Sequence, residues 1–198
     1  MEDTFLTLKT SSEGLYKEKG SKFLAFAYPV QDEEEIKERL EALKKKYYDA
    51  RHHCYAYMLG REQSQFRAND DGEPNHSAGD PILGQIRSHE LSDVLIVIIR
   101  YFGGTKLGVG GLITAYKTAA AEAIAANEII TAVVTKKVRF HFDYLDMNDV
   151  MRLIKDYDLE IIKQDFDNTC SITLRIREKH WEEVTGRLEE IPSFKKID

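Results

Sequence analysis

Apolar positions recur along the chain with two different spacings, and their order predicts a mixture of strands and helices. The most apolar run, residues 94–99, predicts the central strand of a sheet. Apolar side chains at spacings of three and four over residues 36–47 predict an amphipathic helix of about four turns. Similar arguments predict strands at residues 4–9, 14–28 and 53–59 and a small-residue helix at residues 112–127.

The second half of the chain predicts a separate unit. Its strands and helices follow the order β-α-β-β-α-β, which is the ferredoxin-like pattern. We expect these elements at residues 133–142, 147–157, 159–166, 170–177, 181–190 and 194–197. The predicted fold class is therefore α+β, with one domain at residues 1–130 and a second at residues 131–198.

A glycine-rich stretch, residues 100–112, joins the central strand to the small-residue helix, and five of its residues are glycine. Glycine permits positive φ and close approach of a ligand, and the free N–H groups that open a helix attract anions. Val109 and Gly110 stand where a phosphate-binding P-loop has Lys and Ser or Thr, and Ile113 replaces the third glycine of a dinucleotide loop. An anion site and a tight turn both fit this pattern. The candidate anion-binding residues are Arg100, Gly103, Gly104, Lys106, Gly108, Gly110 and Gly111.

The strand at residues 53–59 places His53, Tyr55 and Tyr57 on one side. If the other side packs on the core, these three side chains face a cleft or solvent. They would then stack on bases or supply an acid or base, and a hydrogen-bonded structural cluster is an equal alternative.

Residues 61–81 carry no periodicity and predict a long loop, followed by a helix at residues 81–90 with Asp80 as its N-cap. Segment 70–76 of this loop contains three acids and a histidine of metal-binding type, but their spacing matches neither an EF-hand nor a zinc signature. We predict no metal and no cofactor, and retain Asp71, Glu73 and His76 as candidate cleft acids and base. The four ligand-type residues are Asp70, Asp71, Glu73 and His76.

Composition indicates an ordinary globular protein without a membrane segment. Apolar residues make up 42% of the 198 residues and charged residues 31%, and the start lacks the features of a signal peptide, so we expect a cytoplasmic protein. The net charge of −6 argues against nonspecific coating of nucleic acid but permits a local basic patch. Cys54 and Cys170 are predicted to be buried free thiols. A lysine cluster, Lys17, Lys19 and Lys22, is interpreted as a solvated hairpin face, and a phosphate-contacting edge is the alternative.

Four motifs in order carry a resemblance to a known family: residues 52–57 (HHCYAY), 70–74 (DDGEP), 78–83 (AGDPIL) and 100–112 (RYFGGTKLGVGGL). Together they resemble the YigZ/IMPACT family over about residues 15 to 126. The resemblance implies a first domain similar in fold to the second domain of ribosomal protein S five and to domain IV of elongation factor G. It also implies a second domain similar to domain V of that factor. Two positions depart from the family pattern, because Thr114 and Met58 stand where basic residues are common.

The resemblance also implies a functional theme. Eukaryotic members regulate translation through a partner protein, using an additional N-terminal domain, so only the theme of translation control is carried over. We expect a noncatalytic binding protein for nucleic acid or the ribosome, with no assigned catalytic residue. One alternative is an enzyme for a small phosphorylated or peptide-like substrate that uses His53, Asp71, Glu73 and His76. The other is a protein-interaction module in translation control, and the oligomeric state is open.

Overall fold

The computed structural model describes residues 3–167 and 169–197. Eleven strands and five α-helices are numbered in chain order. The strands are β1 Thr4–Leu8, β2 Ser12–Glu18, β3 Ser21–Pro29, β4 His52–Leu59, β5 Gln65–Asn69, β6 Val94–Tyr101, β7 Ile129–Val133, β8 Thr135–Phe142, β9 Glu160–Asp165, β10 Cys170–Arg177 and β11 Lys195–Ile197. The helices are α1 Glu33–Lys46, α2 Gly79–Ser88, α3 Gly108–Ala125, α4 Met147–Asp156 and α5 Trp181–Glu189, and single 3-10 turns precede α4 and α5.

The chain has a mixed α+β fold of two compact units. The first is Phe5–Ala132, and the second comprises the described residues of Val133–Asp198 together with Asp3 and Thr4. The first unit contains a five-stranded antiparallel sheet in the order β2-β3-β6-β4-β5. The most apolar run of the sequence forms β6, the central strand, as predicted.

Helices cover both faces of the five-stranded sheet. On one face, α2 and α3 pack over residues such as Phe23, Cys54 and Ile98. On the other face, α1 packs through Ile36 and Leu43. Because successive residues of a strand point to opposite faces, β6 has to be apolar at nearly every position to fill both layers.

The second unit contains a four-stranded antiparallel sheet in the order β11-β8-β10-β9. With α4 and α5 between the strands along the chain, this is the β-α-β-β-α-β order that the sequence predicts. Both helices pack on one face, against Phe140, Ile172 and Leu174. The opposite face carries no helix in the part of this unit that the structure describes.

Several boundaries differ from the sequence prediction. The long loop contains a strand, β5, which the sequence did not reveal because its residues 65–67 are exposed at the sheet edge. The segment 14–28 is two strands joined by a turn at Lys19 and Gly20. Helix α2 begins at Gly79 with Ala78 as its N-cap, so the prediction that Asp80 caps it is wrong.

Two sequence-level properties have direct structural counterparts. Cys54 and Cys170 are buried free thiols, as predicted. Among the described residues, no helix combines the length and apolar character that crossing a bilayer requires.

Candidate functional site

The glycine-rich stretch forms a short exposed loop that leads directly into the N-terminus of α3. Strand β6 ends at Tyr101, and α3 begins at Gly108, four residues earlier than the sequence predicts. The N-cap is Leu107, whose side chain has no hydrogen-bond acceptor. No carboxylate stands in the first turn of this 18-residue helix. The first N–H groups of α3 therefore present an uncompensated positive dipole end.

The glycines of this stretch differ in what they are needed for. Gly104 and Gly108 have φ of 93° and 73°, which favours glycine for conformational reasons. A Cβ on Gly103 would lie 1.9 Å from the carbonyl carbon of Gly20, so Gly103 is required by packing. By contrast, a Cβ on Gly110 would meet no described atom within 4 Å, and its φ is not positive. Gly110 is therefore explained neither by local packing nor by conformation.

Gly111, like Gly103, is explained by packing. A Cβ there would approach the Cβ of Leu107 to 3.1 Å, which is tight but adjustable. Gly108, Gly110 and Gly111 all lie within the first turn of α3 rather than in the loop that precedes it.

Three exposed lysines lie at this end of the sheet. Lys106 is in the loop, and Lys19 is in the β2–β3 turn, whose Gly20 contacts Gly103. Lys22 pairs with Tyr101 in the β3–β6 register. Their ammonium groups make no ion pair with any carboxylate in the described parts of the chain. The sequence favoured a solvated hairpin face for Lys19 and Lys22 over a phosphate-contacting edge, because it could not locate the hairpin beside the glycine loop.

Beneath the loop lies a buried polar cluster of Arg100, Glu73 and Tyr116. Arg100 Nη1 donates to Glu73 Oε1 at 2.6 Å, and the Tyr116 hydroxyl donates to the same oxygen at 2.7 Å. The Arg100 guanidinium also lies 5.6 Å from the ring centroids of Phe23 and Phe102. The side chains of Arg100 and Glu73 are only 7% and 4% exposed. Glu73 pairs with Nη1 of Arg100, whereas the buried Nε of Arg100 has no hydrogen-bond partner among the described residues, so the prediction that Arg100 supplies charge to an anion stays a prediction.

The surroundings of this cluster keep two groups protonated, the hydroxyl of Tyr116 within it and the thiol of Cys54 beside it. Burial raises the pKa of the Tyr116 hydroxyl, and the adjacent Cys54 and Glu73 raise it further. Burial also raises the pKa of the Cys54 thiol, which donates to the backbone oxygen of Asp70 at 3.0 Å. Both groups are neutral at physiological pH, so Cys54 is not a thiolate nucleophile.

The acids of the long loop are used to fold the loop itself. The Asp70 carboxylate accepts hydrogen bonds from the backbone N–H groups of His76, Ala78 and Gly79 at 2.9 to 3.1 Å. Through Ala78 and Gly79, the Asp70 carboxylate caps the N-terminus of α2, although Asp70 lies eight residues before the N-cap residue. The sequence assigned this role to Asp80.

The structure brings together only part of the set that the enzyme alternative uses: among the described residues, His53 Nδ1 lies 3.8 Å from Asp71 Oδ2, but Glu73 and His76 have other partners. His76 is exposed and its Nδ1 pairs with Asp80 at 2.6 Å, whereas Glu73 is buried against Arg100. Asp71 accepts the backbone N–H of His53 at 2.7 Å, so this contact is structural. Within residues 3–167 and 169–197, no group of three or more His, Cys, Asp or Glu side chains is arranged to hold a metal ion.

The predicted stacking surface of His53, Tyr55 and Tyr57 lies under α1. His53 and Tyr55 are 7% and 9% exposed, and His53 Nε2 hydrogen-bonds with the backbone oxygen of Tyr47 at 3.0 Å. The Tyr57 hydroxyl donates to Glu33 Oε1 at 3.2 Å. These three side chains occupy the sheet face opposite to α3, so the structure does not join them to the glycine loop. His53 and Tyr55 offer no open ring for a base.

Comparison with known proteins agrees with the four sequence motifs. The Impact N-terminal domain profile matches residues 19–124. An IMPACT family member of Haemophilus influenzae is 31% identical over 174 residues, which cover 87% of this chain and 84% of the relative. An IMPACT family member of Thermus thermophilus is 38% identical over 140 residues, covering 71% of this chain and 75% of the relative.

A crystal structure of a hypothetical protein shares the fold over both units. It covers 100% of this chain and 98% of its own, with a TM-score of 0.75 and 23% identity. The specific likeness to ribosomal protein S five and to elongation factor G stays a prediction. Taken together, the family profile, the relatives and the motifs at residues 52–57, 70–74, 78–83 and 100–112 show that the chain belongs to the IMPACT family.

Proposed function

We propose that the chain is a noncatalytic RNA-binding protein linked to the regulation of translation, and that the glycine loop with the N-terminus of α3 binds phosphate. The observation that carries the proposal is Gly110, which leaves the first turn of an uncapped helix open although neither packing nor conformation requires a glycine there. A residue that costs up to about 1 kcal/mol of helix stability relative to alanine is then accounted for by the approach of a ligand to the backbone.

The size of the electrostatic effects favours a polymer over a small anion. One anion at a helix N-terminus gains about 0.3 to 1 kcal/mol, and each exposed lysine adds a contribution of similar size. A single phosphate would therefore bind weakly. A nucleic acid gains from several phosphates at once, and each contact releases counterions. Lys19, Lys22 and Lys106 supply the additional contacts at this end of the sheet.

The link to translation rests on the family resemblance rather than on geometry. Within that theme, structured RNA of the ribosome is the ligand class that a phosphate-binding loop would suit. The enzyme alternative loses its support, since the histidines and acids that it needs are separated or engaged in structural hydrogen bonds.

A second candidate function is protein docking at the same loop. Phe102, Val109 and Ile113 are 56%, 52% and 38% exposed, and exposed apolar groups of this size suit a protein surface. Protein docking would tolerate loss of Lys106 but not polar replacement of Val109 and Ile113.

Fluorescence anisotropy with a labelled RNA hairpin and a labelled single strand tests the RNA proposal. We expect Lys106→Ala to weaken hairpin binding about fivefold and to reduce the slope of log K against log salt by about 1. Lys45→Ala, an exposed lysine at the end of α1, is the matched control and is expected to bind as wild type does. Absence of hairpin binding by the wild type at low salt, or equal binding by Lys106→Ala, would overturn the proposal. Binding of ribosomal proteins that is lost only in Val109→Ser/Ile113→Ser would favour protein docking instead.

A further inference from the structure

The open face of the four-stranded sheet in the second unit carries a concentration of positive charge. The register fixes which residues lie there, since directly opposed residues of antiparallel strands share a face. Thr173 alternates with the buried Ile172 and Leu174, so it belongs to the open face together with its partners Arg139 on β8 and Lys163 on β9.

The same rule assigns the remaining charged residues. Lys137 pairs with Arg175, and Lys195 pairs with His141. The six cations of this surface, which we call the basic sheet face, are Lys137, Arg139, Lys163, Arg175, Arg177 and Lys195.

Three carboxylates lie beside these six cations at the paired positions that the described strands provide or in an ion pair with them. Glu160 pairs with Arg175 at 2.7 Å, Asp3 pairs with Arg177 at 2.7 Å, and Asp165 lies opposite Ser171. The basic sheet face thus has a net charge of about +3 within a chain whose net charge is −6. A local field of the opposite sign to that of the whole protein indicates a polyanionic ligand.

Four of the cations are exposed and available. Lys137, Arg139, Lys163 and Lys195 are all exposed, and none forms an ion pair with a carboxylate in the described chain. Next to them, His141 has a buried Nδ1 without a hydrogen-bond partner among the described residues.

The chemistry of the face favours phosphate over a protein partner. Its uncharged positions include the hydroxyl side chains of Thr135, Ser171 and Thr173, which together with Arg and Lys are the usual phosphate contacts. Protein interfaces instead depend on aromatic and apolar anchors. Among the described residues of this face there is no Phe, Tyr or Trp, so the imidazole of His141 is its one ring for base stacking.

We infer that the basic sheet face binds the sugar-phosphate backbone of structured RNA through charge and shape, without reading base sequence. The inference deepens the proposed function, because it assigns the same class of ligand to a second surface of the chain. It does not depend on the glycine loop, which lies in the other unit.

The test uses the full chain, a labelled RNA hairpin and two double variants. Lys137→Gln/Arg139→Gln removes two cations from the basic sheet face. Arg152→Gln/Lys155→Gln removes one Arg and one Lys from exposed positions of α4, which packs on the opposite side of the same sheet. The two variants have equal net charge, so bulk electrostatics cancels between them.

We expect the sheet variant to bind the hairpin about tenfold more weakly than the α4 variant at physiological salt. The slope of log K against log salt should fall by about 2, because two phosphate contacts are lost. Scrambling the sequence of the hairpin stem should leave the affinity unchanged. Circular dichroism melting of both variants confirms that each is folded, and a single substitution, Arg139→Gln, with an expected loss of about threefold serves if the double variant unfolds.

Three outcomes would overturn the inference. The first is equal affinity of the sheet and α4 variants. The second is binding of polyglutamate as tight as that of RNA, which would assign the face to an acidic protein. The third is a strong dependence on stem sequence. Lys106→Ala, measured in parallel, separates this inference from the proposed function, since loss of binding in only one variant assigns the RNA to only one surface.

Discussion

The five-stranded sheet and the four-stranded sheet of this chain differ in how many of their faces helices cover. The five-stranded sheet of the first unit is covered by α1 on one face and by α2 and α3 on the other. The four-stranded sheet is covered on one face only. Burial on both faces covers the central strand from Val94 to Arg100, so the proposed ligand site falls on the loop at the end of the sheet. Burial on one face leaves every second residue free, and charge can accumulate there.

The difference extends to the ion pairs of the two units. Arg100 and Glu73 are almost inaccessible, whereas Arg175 and Glu160 have side chains that are 28% and 59% exposed. A buried charge that loses its partner keeps its desolvation cost, but an exposed charge is simply hydrated. Removing one partner from each pair therefore tests whether the covered sheet depends on its ion pair more than the open sheet does.

The largest expected effect comes from Glu73→Ala. It leaves the Arg100 guanidinium buried without a counterion, so we expect a loss of about 3 to 5 kcal/mol in the free energy of unfolding. The matched substitution Glu160→Ala on the open sheet should cost about 1 kcal/mol or less. Urea denaturation followed by circular dichroism measures both. Similar costs for the two substitutions would contradict the comparison, and Glu73→Gln/Arg100→Met should recover much of the loss.

A smaller effect is expected from two alanine substitutions in the glycine-rich stretch. Gly103→Ala places a methyl group against the Gly20 backbone, so we expect a loss of about 1 to 3 kcal/mol in stability. Gly110→Ala meets no described atom and should stabilise α3 by up to about 1 kcal/mol. The same Gly110→Ala variant should bind RNA more weakly, since its methyl group would occupy the space next to the helix N-terminus.

Thermal melting and anisotropy on the two glycine variants separate folding from binding. If Gly110→Ala gains stability and keeps full RNA affinity, the glycine is not there for a ligand, and the binding site moves away from the start of α3.

The smallest expected effect is on how the stability of the second unit depends on pH in the acid range. A hydrogen bond from Arg177 lowers the pKa of the Asp3 carboxyl from 3.8 to about 2. Because the folded pKa lies below the unfolded value, this pair stabilises the second unit above about pH 4 and is lost as the pH falls from 3.8 towards 2. We expect Asp3→Asn to lower stability at pH 5 and to show less further loss between pH 4 and pH 2 than wild type. Asp156→Asn is the control, and an unchanged acid profile in Asp3→Asn would contradict the assignment.

The order of elements was predictable from the sequence, but the covering of the sheet faces was not. Periodicity placed β6, α1 and the β-α-β-β-α-β unit because apolar side chains mark the buried side of each element. Periodicity allowed a cleft or solvent beside His53, because residues 53–59 do not show that a helix also packs on that side of the strand. It missed β5, because Phe66 is the only large apolar residue of this five-residue strand and one such residue shows no alternation.

The candidate site was also predictable only in part, because a sequence pattern shows local features but not contacts between distant residues. The spacing of the glycines and Lys106 identified the loop. The start of α3 at Gly108 was missed because glycine is a poor helix former. The ion pair of Arg100 with Glu73 was missed because the two residues are 27 positions apart in the chain. The basic sheet face was invisible for a similar reason, because its cations come from four strands that only the fold brings together.

Asp70 gives the long loop a property that its composition would not suggest. A stretch rich in turn formers and acids is where a protease would be expected to cut, since cleavage requires several residues of backbone to detach and extend. Here one carboxylate holds three backbone N–H groups, and Glu73 anchors the same loop in the core. Detaching it would expose a buried charge. We therefore expect residues 70–79 to resist limited proteolysis for as long as the first unit stays folded.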